Sequence, residues 1–94
     1  MYHDLCKIVK VSIPKLYHVS VTFDDGVTKT IDLEPILYGQ MFGPLRDEKV
    51  FRQVEIDPIA ETIQWPNGAD FDPAVLYHWE EYKKELAERA REWA

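Results

Sequence analysis

Alternating apolar and polar residues predict a β-hairpin near the start of the chain. Every second residue is apolar in 17–23, and a similar alternation follows in 27–33. A period of two is typical of strands with one buried face. Between the two stretches stands Asp24-Asp25-Gly26, and an Asp-Gly pair supplies the positive φ angles that tight hairpin turns need. A β-rich stretch at 8–13 predicts a further strand before this hairpin.

The middle of the chain follows no regular period. Proline and glycine interrupt residues 34–49 four times, so only short helical turns are expected there. Residues 54–56 and 62–65 predict a second hairpin, whose turn begins at Asp57-Pro58 because proline fixes φ. Five apolar residues of the middle segment are expected to close one end of the core: Ile36, Leu37, Met41, Phe42 and Leu45.

The last part of the chain predicts a single helix over residues 73–93. Asp72 is a good N-cap, and Pro73 is favoured at the first helical position. From there apolar residues recur every three or four positions, which is a helical stripe. Such a helix spans about 30 Å, so its second half is expected to extend beyond a small core and contact a partner, unless it packs entirely on its own domain. The predicted interface residues are Tyr82, Leu86, Ala90 and Trp93.

Together these elements predict an α+β fold. We expect a small antiparallel sheet of about five strands, made of two hairpins and an N-terminal strand, packed against one long C-terminal helix. With 94 residues, one domain over 1–94 is expected.

Charge and cysteine content narrow the function classes. The net charge is −6, and the Lys and Arg residues near the C-terminus are interleaved with Glu. Nucleic-acid binding usually needs a basic cluster, so we expect none by this domain on its own; a protein partner or self-association fits better. Cys6 is the only cysteine, which favours a reducing, cytoplasmic location. No apolar run approaches the ~20 residues of a membrane span, so no membrane is expected.

Candidate chemistry is sparse. His3, His18 and His78 lie far apart in the sequence, and Cys6 has no cysteine partner at ligand spacing, so we expect no metal site. No nucleophile–base arrangement and no phosphate-binding loop is visible. We therefore expect no catalytic residue and no cofactor, and an enzyme is the less favoured interpretation.

One hexad, Trp65-Pro66-Asn67-Gly68-Ala69-Asp70, stands where an extended segment must become a helix. We expect Trp65 in the core with its indole N–H bonded nearby, although an exposed Trp could stack on a ligand. Aspartates in turns accept backbone N–H bonds, whereas a pair with separated pKa values could do acid–base chemistry. The patterned residues, interpreted mainly as structural, are Asp24, Asp25, Gly26, Asp32, Trp65, Pro66, Asn67, Gly68 and Asp70.

Several short runs also point to a family. Besides the hexad they are Phe23-Asp24-Asp25-Gly26, Asp32-Leu33, Gly43-Pro44-Leu45, Phe51 and Val54. Over residues 8–76 the chain resembles the small bacterial domain-of-unknown-function family 2442. The resemblance implies an antiparallel α+β domain without an established activity. Some members carry a helix-turn-helix after this domain, but only one helix is predicted here after Asp72. Members often occur beside another small family in a proposed toxin–antitoxin arrangement, which implies an antitoxin-like role.

Two function classes follow from these observations. The favoured one is a small cytoplasmic protein-interaction module, with an antitoxin-like partner of a small toxin as its specific form. The alternative is a small-ligand-binding protein or an enzyme that uses a pocket near Trp65, Asn67 and Asp70.

Overall fold

A computed structural model of the protein describes residues 7–93, and of Trp93 the backbone alone. The strands in this range are β1 Ile8–Ser12, β2 His18–Phe23, β3 Thr28–Asp32, β4 Glu55–Asp57 and β5 Thr62–Gln64. The α-helices are α1 Gly39–Phe42, α2 Glu48–Phe51, α3 Pro73–Tyr77 and α4 Trp79–Trp93, and 3₁₀ turns occupy Glu34–Ile36 and Gly43–Arg46. The predicted α+β class is confirmed.

The five described strands form two antiparallel sheets. In the first, β2 lies between β1 and β3, so that Val21 is paired with Val11 on one side and with Lys29 on the other. In the second, β4 pairs with β5, with Ile56 opposite Ile63. The second sheet lies beside β1. The two are connected by a 3.0 Å hydrogen bond from the Ile8 amide to the carbonyl of Glu61, the residue before β5.

The β2–β3 turn is a three-residue loop with a single left-handed residue. Phe23 and Val27 face each other through a 2.8 Å backbone hydrogen bond, and the Gly26 amide donates to the Phe23 carbonyl. Gly26 has a φ of +92°, whereas Asp25 is not among the residues with positive φ. This is the hairpin built from a type I turn and a following left-handed glycine. Positive φ angles were expected for the Asp-Gly pair, but only Gly26 adopts one.

The core is formed by one face of each sheet and by the helices that cover it. Its largest side chains with less than 2 % exposure are Trp65, Phe23, Phe51, Ile31, Leu33, Leu37, Leu45, Ile63, Leu76, Val19 and Val21. Of the five middle residues expected in the core, Met41 is 49 % exposed and Phe42 only half-buried. The expectation is therefore wrong for Met41, whose short helix α1 contributes no fully buried residue.

The C-terminal segment is helical as predicted but not continuous. Asp72 caps α3 by accepting a hydrogen bond from the Ala74 amide at 2.9 Å, as expected. At His78 the backbone leaves the helical region, with φ −106° and ψ 37°, and α4 begins at Trp79. α4 has 15 residues and packs on the Glu34–Ile36 turn. Within residues 7–93 no helix has the length and apolarity needed to cross a membrane.

Candidate functional site

The hexad contains the same kind of turn as the β2–β3 hairpin. Its loop is Pro66-Asn67-Gly68, which corresponds to Asp24-Asp25-Gly26. The Trp65 amide donates to the Ala69 carbonyl at 2.8 Å, and the Gly68 amide donates to the Trp65 carbonyl at 2.9 Å. Gly68 has a φ of +94°. In both turns a side-chain oxygen accepts the amide that follows glycine: Asn67 accepts from Ala69 at 3.1 Å, and Asp25 accepts from Val27 at 3.0 Å. The hexad is thus a second left-handed-glycine hairpin.

Trp65 lies inside the core and is 1 % exposed. Its indole Nε1 donates to the Phe51 carbonyl at 2.9 Å, and its ring lies against those of Phe51 and Phe71, with centroids 5.9 Å and 6.1 Å away. A ring this deeply buried cannot stack on a ligand. In the alternative function, a ligand-binding pocket near the hexad could therefore not use the Trp65 ring as a contact surface.

Asn67 connects this turn to a distant part of the chain. Its Nδ2 donates a 2.8 Å hydrogen bond to the carbonyl of Met41 in α1, which is 26 residues away. The side chain therefore uses its oxygen for the turn and its nitrogen for α1. Because α1 has no side-chain N-cap, this bond is a tertiary support for a helix of only four residues.

Arg46 holds the preceding segment in place. Its Nε donates to the Leu37 carbonyl at 2.7 Å, and Nη2 donates to the Glu34 carbonyl at 3.2 Å. The guanidinium also lies 4.4 Å from the centroid of the Tyr38 ring, a cation–π contact. The Arg46 carbonyl in turn accepts a hydrogen bond from the Tyr17 hydroxyl. Arg46 and Asn67 together fix the backbone of residues 34–42 from both ends.

The segment held in this way presents an apolar surface with Phe42 at its centre. Phe42 packs against Phe71, with ring centroids 5.1 Å apart, and lines two neighbouring cavities. The larger, about 430 Å³, is lined by Tyr38, Gly39, Gln40, Met41 and Phe42. The smaller, about 160 Å³, is lined by Ile36, Phe42, Asp70, Phe71, Asp72, Val75 and Leu86. We call the residues that line these two cavities the Phe42 face.

The smaller cavity of the Phe42 face has acidic side chains in its lining. Two carboxylates, Asp70 and Asp72, line the smaller cavity among apolar side chains. On α4, Lys83 lies 2.8 Å from Glu80 and Arg89 lies 2.9 Å from Glu85. The pKa of Glu80 is lowered mainly by the hydrogen bond from Lys83 and, to a smaller extent, by the positive charge of Lys83. Both cations are therefore paired with glutamates of their own helix.

The structure brings some of the predicted site residues together and separates others. Asp70 and Leu86 line the same cavity, and Asn67 supports its neighbour. Asp25 instead accepts a hydrogen bond from the Tyr77 hydroxyl, and Asp32 accepts one from the Glu34 amide at 3.0 Å. The lining residues that the sequence did not suggest as a site are Ile36, Tyr38, Gly39, Gln40, Met41, Phe42, Phe71, Asp72 and Val75.

The four interface residues predicted on the C-terminal helix fall into different environments. Tyr82 is 38 % exposed, and Leu86 is half-buried at the smaller cavity. Ala90 is fully buried within the chain and cannot meet a partner, so its assignment is corrected. The reason is that Ala90, in the last turn of α4, belongs to the buried hydrophobic cluster of the core. The side chain of Trp93 lies outside the described residues.

Metal-ligating groups do not converge in the part of the chain that the structure describes. No three His, Cys, Asp or Glu side chains between residues 7 and 93 are placed to hold a metal ion. His3 and Cys6 lie outside the described residues. His18 Nε2 is 3.9 Å from the Asp32 carboxylate, and His78 Nδ1 is 3.4 Å from that of Glu81.

Fold and site together define a small α+β domain with two left-handed-glycine hairpins and an apolar face supported by the second. Residues 8–82 match the family described as protein of unknown function (DUF2442), and the chain belongs to this family. No curated protein and no solved structure matches it.

Proposed function

We propose that this protein is a small cytoplasmic protein-interaction module that binds a partner protein through the Phe42 face. The single observation that carries the proposal is the pair of adjoining cavities around Phe42, with Met41 beside it 49 % exposed. Contiguous apolar surface of this kind often marks a binding site, because covering it removes apolar area from water.

The rigidity of the surrounding backbone supports the same function. Arg46 and Asn67 make hydrogen bonds to carbonyls of residues 34–41, and Phe42 packs on the buried Phe71 ring. A surface whose backbone is already fixed loses little conformational entropy when a partner docks. The free energy gained by burying Met41 and Phe42 is then not offset by the cost of ordering the loop.

The family resemblance suggests a specific form of this function, an antitoxin-like role toward a small toxin. The net charge of −6 is compatible with a basic partner. In this role the Phe42 face would cover the partner and keep it inactive. The partner would be encoded beside this protein.

Co-expression with the neighbouring gene tests the proposal. Growth arrest by that gene product should be relieved by the wild-type protein, and the two should co-purify. Met41→Glu should abolish both effects, because it places a charge on the apolar surface while leaving the Met41 carbonyl available to Asn67. Ile59→Glu is the matched control, since Ile59 is 91 % exposed in the β4–β5 turn and should tolerate a charge.

Both variants should melt within a few degrees of the wild type, which shows that loss of binding is not loss of folding. Two results would count against the proposal. One is a neighbouring gene product that neither binds nor arrests growth. The other is a complex that forms equally well with Met41→Glu.

A further inference from the structure

We infer that the smaller cavity of the Phe42 face receives one apolar side chain from a partner segment that carries Lys or Arg beside it. This inference rests on the proposed function and adds the chemistry of the partner. It is based on the size, the lining and the charge of that cavity.

The size of the cavity fits a single side chain. Its volume is about 160 Å³, and a buried apolar cavity of about 150 Å³ is known to hold one benzene molecule. Phe42, Phe71 and Leu86 supply apolar walls for such a group. Insertion of one anchor residue into a desolvated pocket is the usual way in which a small interface gains most of its affinity.

The charge around the cavity selects the residues next to the anchor. Asp70 is exposed at the cavity, and no side chain within residues 7–93 forms an ion pair with it. Asp72 also lines the cavity, but its carboxylate accepts the hydrogen bond that caps α3. A Lys or Arg one or two positions from the anchor would reach the Asp70 carboxylate, whereas an acidic neighbour would be repelled.

The charge of Asp70 disfavours two other occupants. In a symmetric dimer each surface meets its own copy, so the acidic edge around Asp70 would lie against a second acidic edge. A nucleic-acid backbone would meet the same repulsion. A basic segment of a different protein is the occupant that complements both the walls and the edge.

Three synthetic nonapeptides test this inference by methyl and amide NMR of the full chain. The first has a central Phe flanked by Lys within a Gly/Ser sequence, the second replaces Lys by Glu, and the third replaces Phe by Ala. The Lys–Phe peptide should shift the Leu86 methyl signals and the amide signals of residues 70–75. The other two peptides should bind at least tenfold more weakly.

Asp70→Asn should weaken binding of the Lys–Phe peptide about twofold to fivefold, as expected for a solvent-exposed ion pair, and the difference should shrink at high salt. Asp24→Asn is the matched control, because it removes one charge from an exposed aspartate in the β2–β3 turn and should leave binding unchanged.

Three results would overturn the inference: equal binding of the Lys and Glu peptides, no shift at Leu86 with millimolar Lys–Phe peptide, or full affinity in Asp70→Asn. Each of these leaves the proposed function intact if the native partner is still lost in Met41→Glu. Failure of the co-expression experiment, in contrast, removes the proposed function itself.

Discussion

The Tyr77 hydroxyl donates a 2.6 Å hydrogen bond to the carboxylate of Asp25, 52 residues earlier in the chain. The contact joins α3 to the β2–β3 turn. The Tyr77 ring also packs edge-on against Phe23, with centroids 4.8 Å apart, and the Lys29 ammonium lies 5.6 Å from its centroid. The pKa of Asp25 is lowered mainly by this hydrogen bond and, to a smaller extent, by the one from the Val27 amide, because both stabilise the charged form.

This lowered pKa predicts an acid-dependent loss of stability. In the unfolded chain Asp titrates near its ordinary pKa of about 3.9. The contribution of Asp25 is therefore fully present above that pH and is lost as the pH falls through the lower pKa of the folded state. Tyr77→Phe removes the donor, so its free energy of unfolding should decrease less steeply between about pH 4 and pH 2 than that of the wild type. Urea unfolding at a series of pH values measures this.

Tyr82→Phe serves as the control for that experiment, since Tyr82 is on α4 and 38 % exposed. Its stability should follow the wild-type pH dependence. If the Tyr77→Phe curve ran parallel to the wild-type curve at a constant offset, the hydrogen bond would not be the cause of the lowered pKa of Asp25.

Trp65 is predicted to be the most costly single side chain to truncate. Trp65→Ala should lower the free energy of unfolding by about 3–5 kcal/mol, because it leaves a cavity and an unpaired Phe51 carbonyl. For a domain of this size the total is about 5–14 kcal/mol, so the loss is severe. Ile59→Ala, at a 91 % exposed position, should change stability by no more than about 0.5 kcal/mol. A Trp65→Ala protein that unfolds at the wild-type denaturant concentration would refute the placement.

The two hairpin glycines should show a conformational cost without a steric one. A Cβ at Gly26 or Gly68 would meet no atom within 4 Å, but their φ values are +92° and +94°. Replacing either by Ala should therefore cost about 1–2 kcal/mol, and replacing it by Asn should cost less. Gly43 is the matched control: its φ is −54°, and Gly43→Ala should be neutral or stabilising by up to about 1 kcal/mol. Equal effects at all three sites would show that backbone conformation is not the cause.

The elements that sequence reasoning predicted correctly are those whose determinants lie close together in the chain. The β2–β3 hairpin follows from a period of two around one glycine, and the start of α3 follows from Asp72 and the proline after it. In these cases the residues that form the structure are also neighbours in sequence.

What the sequence did not predict depends on contacts between distant residues. No glycine or proline marks His78, where the helix is interrupted. On either side of it, Tyr77 is bonded to Asp25 and Trp79 lies edge-on to Phe71, with centroids 6.5 Å apart. The spacing of apolar residues indicates neither contact, so it predicted one continuous helix.

The Phe42 face was missed for the same reason. Its walls come from three separate segments, residues 36–42, 70–75 and Leu86. The one usable signal was a run of apolar side chains in an irregular segment rich in glycine and proline, where not all of them fit into a small core. Without the Asn67–Met41 contact, the sequence gives no means to place that run beside Asp70.

Asn67 provides the most direct test of how the hexad supports the Phe42 face. Asn67→Ala removes the hydrogen bond to the Met41 carbonyl and the acceptor for the Ala69 amide, and should cost about 1–2 kcal/mol. Asn67→Asp keeps the acceptor but replaces the donor by a charged carboxylate oxygen, which the Met41 carbonyl repels. In the Asp variant, hydrogen exchange of the Gly43 amide, which donates to Gly39 at the end of α1, should become faster. The Ala69 amide should remain as protected as in the wild type.

The Asn67→Asp protein should also bind the partner more weakly, because α1, which ends with Phe42, is then less well ordered before docking. Asp70→Asn separates this effect from electrostatics, since it changes a charge at the face without touching α1, and its Gly43 amide should exchange as in the wild type. If Asn67→Asp left exchange in α1 unchanged, the side chain would be serving its own turn alone, and the Phe42 face would have to be held in place by Arg46 and the packing of Phe42 on Phe71.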